Sequence, residues 1–337
     1  MPEPSPSSQR RGRLLRFGAA CAALSAVTGY VVVQYVTGGA GEPACRVVSA
    51  EGDGTTYAFT PEQAVNAATI AAVGTGRGLP ERAVTIALAT ALQESALRNL
   101  DHGDRDSLGL FQQRPSQGWG TAREVTDPAY AAGAFYEHLV KVPDYTELPL
   151  TVAAQRVQRS GYPEAYAKHE PDAALLAAAL TGASAATLTC EGRPESATAT
   201  GPDAVRAALA RDFGSGARQE TDARDAARAG ARETAAPGAD ADVPAAETSG
   251  RTVTLPVTDG TAAGRGVRER GWQLAHWAVA NASALHIERV TYAGRQWVAG
   301  NTDSRWRATR SGGAEAAGVP GSAVGAGTSA VRIVTAQ

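Results

Sequence analysis

The sequence predicts a mainly helical protein with a transmembrane helix, an all-α domain, a disordered linker and a small C-terminal α+β module at residues 251–308. Residues 17–37 form an uncharged apolar run about long enough to cross a bilayer. Between residues 45 and 190, apolar residues recur at helical spacing, and no segment alternates convincingly at the period of a strand. Residues 191–250 contain few large apolar side chains, which favours a solvated linker.

The apolar run at residues 17–37 follows a basic segment, residues 1–16, which carries four arginines. Because basic residues stay in the cytoplasm, this pattern predicts a single-pass membrane protein whose C-terminal bulk is exported. A cleavable signal peptide is the alternative, since small residues at 38–40 offer a cleavage site. The run is longer than a usual signal core, and we therefore favour an uncleaved anchor in the cytoplasmic membrane.

Helix-start signals divide residues 45–190 into several predicted helices. Residues 60–63 read TPEQ. The threonine can cap a helix, the proline suits its first turn, and the glutamine completes a capping box with the threonine. The sequence therefore predicts a helix from there to about residue 73. The same kind of signal predicts further helices near Pro80, Asp127, Pro149 and Pro171.

From about residue 251, apolar residues again recur at the regular spacings of strands and helices. Residues 251–257 favour a strand, residues 265–285 an amphipathic helix, and residues 287–300 a hairpin. The helical spacing of Trp272 favours a core position over stacking on a sugar ring. One short helix, DAVRAALARDF, is expected inside the preceding linker, and the glycine- and alanine-rich tail after about residue 309 is expected to be disordered.

Two cysteines, Cys45 and Cys190, bracket the patterned block, whereas Cys21 lies in the apolar run. After export the pair would meet an oxidising compartment, in which disulfides persist. A bridge that closes so long a loop would contribute on the order of 4–5 kcal/mol. Two unrelated free thiols are the alternative, and a metal site is disfavoured because no histidine or cysteine lies at ligand spacing.

The charge balance narrows the possible partners. Thirty-two basic and 34 acidic residues give a net charge of −2 at pH 7, so no global field attracts nucleic acid or anionic lipid. The sequence has no phosphate-binding loop and no nucleophilic triad, and its five histidines are scattered. We therefore expect no nucleic-acid partner, no cofactor and no metal ion.

Glu94 is the first candidate for catalysis. It is expected near the C-terminal end of the helix that starts at Pro80, where it adjoins the buried stripe. The negative end of the helix dipole and partial burial both disfavour a charged carboxylate, and both raise its pKa. A general acid that works near neutral pH needs such a shift. The helix position alone leaves a solvated surface glutamate as the alternative.

A polar loop and a mixed apolar and amide segment follow Glu94. The loop reads NLDHGDRDS at residues 99–107, and GLFQQRP follows at residues 109–115. A glycine with two large apolar residues can anchor such a loop while nearby polar groups hydrogen-bond a sugar. Ser107, Gln112 and Gln113 are therefore predicted to bind substrate.

Together these residues carry a resemblance to a known family. Glu94-Ser95, the GLFQ at residues 109–112 and Pro115 resemble the glutamate–serine, GLMQ and proline signature of the lysozyme-like superfamily, in particular soluble lytic transglycosylases and goose-type lysozymes. The resemblance covers residues 84–166. It implies that the partner is peptidoglycan and that Glu94 is the single general acid, which protonates the bond between N-acetylmuramic acid (MurNAc) and N-acetylglucosamine (GlcNAc).

The resemblance leaves two reactions open. A transglycosylase lets the 6-hydroxyl of MurNAc attack and needs no second carboxylate. An inverting hydrolase needs one about 6.5–9.5 Å from the first to hold a water, and Asp104 is our candidate, with Asp101 and Asp106 as substitutes. Loop solvation or turn capping is the alternative role for all three.

Family members usually carry a Tyr-Asn pair on a later helix, and this chain has glutamines there instead. Gln158 is the predicted substrate contact in place of the asparagine, with Gln155 as the alternative, and Tyr162 is the predicted aromatic contact, with Tyr166 as the alternative.

The sequence thus predicts a membrane-anchored enzyme that cleaves peptidoglycan strands, as a lytic transglycosylase or a muramidase. A catalytically inactive wall-binding or scaffolding protein with the same fold is the alternative. A partner protein of the cell wall is a further hypothesis for the module at residues 251–308.

Overall fold

A computed structural model of the chain describes residues 44–161, 163–192, 201–228, 244–257, 266–300, 305–309 and 330–336, with the backbone alone at 163 and 215–228. The predicted cytoplasmic segment (1–16) and transmembrane helix (17–37) lie outside these residues. Within the described part of the chain, no helix is long and apolar enough to cross a membrane.

Eight α-helices lie within the described ranges, and most begin at the caps that the sequence predicts. At α1, for example, Thr60 and Gln63 form the expected capping box. The helices are α1 (Pro61–Gly76), α2 (Glu81–Ser95), α3 (Ala122–Val125), α4 (Pro128–Leu139), α5 (Leu150–Gln158), α6 (Glu170–Thr181), α7 (Gly201–Arg228) and α8 (Val267–Ala280).

Two antiparallel sheets accompany the helices. The first has the strand order β2-β1-β3, and the second has the order β4-β5-β9-β6-β7-β8. The strands are β1 (Cys45–Val48), β2 (Thr56–Phe59), β3 (Leu188–Cys190), β4 (Glu247–Ser249), β5 (Thr252–Pro256), β6 (Ile287–Tyr292), β7 (Arg295–Val298), β8 (Arg307–Ala308) and β9 (Ala330–Thr335).

The prediction of a mainly α protein is therefore wrong, because the fold is mixed α and β. The expectation that the block between residues 45 and 190 is all-α fails at the first sheet. Its strands have only three or four residues, which is too short for a clear alternating pattern. Strand β1 also pairs with β3, whose residues lie more than a hundred positions further along the chain, so no local window reveals the pairing.

The predicted disulfide is confirmed. Cys45 and Cys190 lie directly opposite each other in the β1–β3 pair and are bonded. The bridge spans a sequence separation of 145 residues. Closing a loop of that length lowers the entropy of the unfolded chain, and in the chain-entropy model the bond therefore contributes about 5 kcal/mol to the free energy of unfolding.

Helix α2, which carries Glu94, runs through the middle of the helical domain. Its residues from Ala83 to Leu92 are buried, and it packs against α1, α4, α5 and α6. Many of the buried residues on α1 and α2 are alanines, which let the helix axes approach closely. The position of Glu94 is therefore fixed by a rigid core on several sides.

The segment predicted as a linker with one short helix contributes to the core instead. Helix α7 has 28 residues, and its Val205, Leu209 and Phe213 are buried. Asp212 on the same helix is fully buried and accepts a hydrogen bond from Trp277 Nε1 at 2.8 Å. Residues 193–200 and 229–243 of the predicted linker lie outside the described residues.

The C-terminal module packs directly on the helical domain, and the described residues from 44 to 336 belong to one compact unit. Helix α8 contacts α1 and α6. Its Gln273 donates to Thr75 Oγ1 on α1, and the ring of its His276 hydrogen-bonds the carbonyl of Ala179 on α6 at 2.7 Å. Burial lowers the pKa of His276 to about 4, so the imidazole is neutral in the folded protein.

Two tryptophans join the second sheet to the disulfide strand. Trp297 Nε1 donates to the carbonyl of Cys190 at 2.9 Å, and Trp306 Nε1 donates to the carbonyl of Leu188 at 2.9 Å. Trp272 is buried as expected. The prediction of a disordered tail is wrong at β9, which lies between β5 and β6 inside the sheet, whereas residues 310–329 lie outside the described residues.

Candidate functional site

The candidate site begins at the last turn of α2. Glu94 precedes Ser95, the final helical residue, and the next two residues adopt left-handed φ angles of 53° at Ala96 and 58° at Leu97. Two α1 side chains bind this turn, since Gln63 Nε2 donates to the Ala96 carbonyl and Asn66 Nδ2 to the Leu97 carbonyl, each at 2.8 Å. The turn is unusual for non-glycine residues, and these bonds help to hold it.

The GLFQ segment is attached to the end of the helix. Ser95 Oγ donates to the Leu110 carbonyl at 2.8 Å, and Phe111 stacks on Phe135 with ring centroids 4.8 Å apart. At Gly109, φ is +75°, and a Cβ atom would lie 2.1 Å from the Val125 carbonyl oxygen. The serine, glycine and apolar residues of the motif therefore have structural roles that fix the loop beside Glu94.

Glu94 itself is partly buried and hydrogen-bonded. Tyr166 Oη donates to Glu94 Oε1 at 2.7 Å, and the side chain of Gln158 also bonds the carboxyl group. Gln158 Nε2 additionally donates to the Phe111 carbonyl at 2.8 Å, which ties α5 to the GLFQ segment. Burial raises the pKa of Glu94 above its usual value, and the two hydrogen bonds oppose that shift only in part.

The three loop aspartates have different surroundings. Asp106 accepts from the Ser116 backbone N–H at 2.8 Å and from Arg114 Nε at 3.0 Å, and these bonds hold its pKa well below the usual range. A hydrogen bond with His102 lowers the pKa of Asp101. Asp104 is exposed, and no hydrogen bond among the described residues uses its carboxylate. Asp104 is thus the least constrained of the three.

The amides of the loop also differ. Gln113 is 1% exposed and donates through Nε2 to the Ala131 carbonyl at 3.0 Å, so its side chain faces the core. Gln112 Nε2 lies 3.2 Å from the Gly109 carbonyl, and its side chain leaves no room for a Cβ atom at Gly103. Ser107 is buried. Of the residues predicted to bind substrate, Gln158 contacts Glu94, and Tyr162 lies outside the described residues.

A groove of about 490 Å³ opens beside Gln112 and Gln158. Four cationic side chains line it, and we call it the cationic groove. Two come from α5 and its end, and the others come from the loop and from the end of α4: Arg114, Lys141, Arg156 and Arg159. Arg156 and Arg159 lie within two residues of Gln158 in the sequence, and this local cluster of positive charge is the signal from which the groove could have been predicted.

In this mixed α and β protein, a tyrosine and an amide hold a glutamic acid whose pKa is raised, and the same amide, Gln158, lines the cationic groove. A family model described as VldE, C-terminal domain, matches residues 223–319, which include α8 and strands β4 to β8. The match does not reach Glu94 or the cationic groove. No curated protein matches the chain.

Proposed function

We propose that this protein cleaves the glycan strand of peptidoglycan at the bond between MurNAc and GlcNAc, with Glu94 as the general acid. The observation that carries the proposal is the partly buried Glu94 carboxyl, whose pKa is raised and whose orientation is set by Tyr166. A raised pKa keeps a carboxyl protonated closer to neutral pH, where it can donate to a glycosidic oxygen. The lysozyme-like order of the motif residues supports the same assignment.

The proposed reaction uses one carboxyl twice. Protonated Glu94 gives its proton to the glycosidic oxygen while the bond from that oxygen to C1 of MurNAc breaks, and the sugar gains oxocarbenium character. The Glu94 carboxylate then takes the proton of the MurNAc 6-hydroxyl as this oxygen attacks C1. The products are a 1,6-anhydro end and a free GlcNAc hydroxyl, and Glu94 is protonated again.

The surroundings of Glu94 favour this transglycosylase route over hydrolysis. Among the described residues, no second carboxylate contributes to the pKa of Glu94. Asp104, the predicted partner in an inverting hydrolase, lies in an exposed loop. A water-activating base would need a fixed position relative to the sugar, and the described contacts do not supply one for Asp104.

Product analysis separates the two routes. Peptidoglycan is incubated with the full-length protein and with its Asp104→Asn variant, and the released fragments are weighed by mass spectrometry. We expect anhydro-MurNAc ends from both proteins, with rates that agree within about threefold, because an exposed carboxylate contributes little. Reducing ends that disappear in the variant would establish a hydrolase, and intact glycan with both proteins would refute cleavage altogether.

Tyr166 provides a second test of the site through its effect on Glu94. Its hydroxyl lowers the pKa of Glu94, so Tyr166→Phe is expected to raise that pKa further. The general acid must be protonated, and the alkaline limb of kcat/KM against pH should therefore move to higher pH. Tyr145→Phe is the matched control, and its pH profile should stay that of the wild type. An unmoved limb in Tyr166→Phe would contradict the assignment of Glu94.

We also propose that the folded unit works outside the cytoplasm. The disulfide between Cys45 and Cys190 supports this location, because such bonds persist in oxidising compartments. Alkylation of protein taken directly from cells tests it: both thiols should react only after reduction. Immediate alkylation of both residues would show that the unit matures in a reducing compartment.

A further inference from the structure

The cationic groove has a charge pattern that the cleavage reaction alone does not require. Arg114 is paired with Asp106, with Nε and Oδ1 3.0 Å apart. Lys141, Arg156 and Arg159 are exposed, and no ion pair among the described residues neutralises them. The molecule as a whole has a net charge of −2, so this local concentration of positive charge is not a feature of the general surface.

The walls of the groove are mixed in character. Trp119 and His138 form one wall, with ring centroids 4.3 Å apart. The side chains of Val142 and Val157 are almost fully buried and supply apolar surface at the base. A groove with cationic rims and an apolar base suits a flexible chain that carries both carboxylates and small alkyl groups.

The groove adjoins the site at Glu94 through the side chain of Gln158. Gln158 lines the groove and also bonds both the Glu94 carboxyl and the Phe111 carbonyl. Gln112, the next residue after Phe111, lines it as well. A ligand in the groove would therefore approach a sugar that is bound at Glu94, and the glycan strand carries its peptides next to the sugars.

We propose that the cationic groove binds the short acidic peptide that peptidoglycan carries on MurNAc. This inference rests on the proposed function, since it assumes a MurNAc residue beside Glu94. Lys141, Arg156 and Arg159 meet the free carboxylates of the peptide, and Val142 and Val157 receive the methyl groups of its alanines. The groove thus selects strands that still carry their peptides over strands from which an amidase has removed them.

The test measures binding separately from cleavage. The full-length Glu94→Gln protein, in which turnover is blocked, is titrated with soluble uncrosslinked glycan chains that carry tetrapeptides, and with the same chains after amidase treatment. Calorimetry should show tighter binding of the peptide-bearing chains. Lys141→Ala with Arg156→Ala in the same background should weaken that binding by about fivefold, which corresponds to two exposed ion pairs.

Two controls make the result specific. Arg123→Ala removes an exposed arginine on α3 outside the groove and should leave both affinities unchanged. Raising the salt concentration should weaken binding of the peptide-bearing chains and have a smaller effect on the stripped chains, because exposed charge pairs are screened. Circular dichroism of the double variant checks that the helices are intact.

The outcomes distinguish the inference from the proposed function. Equal affinity for the two kinds of chain, or a double variant that loses affinity for both to the same extent, would overturn peptide recognition even if the wild-type protein cleaves glycan. A preserved preference for peptide-bearing chains that depends on Lys141 and Arg156 would support the groove, even if no cleavage is seen and the catalytic assignment fails.

Discussion

Glu94→Gln is expected to lower kcat/KM for peptidoglycan cleavage by about 10³-fold, within the range that general acid and base catalysis contributes. The substitution keeps an oxygen that can accept from Tyr166 Oη, now 2.7 Å from Glu94 Oε1, and it keeps the volume of the side chain. It removes only the titratable proton. A loss of that size with a retained fold would therefore identify the proton of Glu94 as the essential element of the site.

The matched control for this experiment is Glu164→Gln. Glu164 is an exposed glutamate near Tyr166 in sequence, so its replacement makes the same change of charge without altering the site. This variant should retain wild-type activity. Cleavage by Glu94→Gln within about tenfold of the wild type would overturn the acid assignment, since a residual rate that high leaves little for general acid catalysis to supply.

The stability of the same variant should change in a way that depends on pH. Burial raises the pKa of Glu94 in the folded protein above its value in the unfolded chain, so the native state retains a proton that the unfolded chain releases. The free energy of unfolding that this group contributes is fully present below the pKa of Glu94 in the unfolded chain. It is lost as the pH rises through the pKa of Glu94 in the folded protein. Glu94→Gln should escape that loss, and thermal unfolding at pH 5 and pH 8 measures it.

A raised pKa together with a cost in stability is typical of a functional carboxyl rather than a structural one. Asp106 shows the opposite case. Its hydrogen bonds from Ser116 and Arg114 lower its pKa, so the charged form stabilises the folded loop. The same short stretch of chain thus contains one carboxyl whose charged form is disfavoured by the fold, Glu94, and one whose charged form is favoured, Asp106.

The sequence predicted the elements of the site better than it predicted their roles. The helix starts at Pro80 and Pro149 could be read locally, and so Glu94 was placed near the C-terminal end of its helix. Gln113 was predicted to bind substrate but bonds the Ala131 carbonyl in the core. A side chain's direction depends on the turn before it, here on a left-handed Gln112 with φ of 47°, which composition does not reveal.

The larger errors concern contacts between distant segments. A stretch poor in apolar residues predicts a linker, yet the few that α7 carries, such as Val205 and Phe213, are enough to bury one face. The pairing of β9 with β5 and β6 joins residues far apart in the chain. Periodicity reports on local structure alone, and it therefore divided into separate modules the described residues from 44 to 336, which belong to one compact unit.

Removal of the C-terminal module is expected to unfold the helical domain. A chain that ends at Gly192 lacks α7 and α8, so the α1 and α6 surfaces that contact α8 become exposed. It also lacks Trp297 and Trp306, which bond the carbonyls of Cys190 and Leu188. The truncated protein should show no cooperative thermal transition and no cleavage, whereas the full-length chain should unfold in one transition.

A point substitution provides the same test without truncation. Trp297 is fully buried and packs against Gly192, so Trp297→Ala should lower the free energy of unfolding by about 3–5 kcal/mol. Trp119→Ala, at a partly exposed ring, is the control and should cost much less. Because the folded unit is continuous, Trp297→Ala should shift the whole transition to lower temperature. Two separate transitions, or a truncated chain with wild-type kcat/KM, would show instead that the helical domain folds independently of the module.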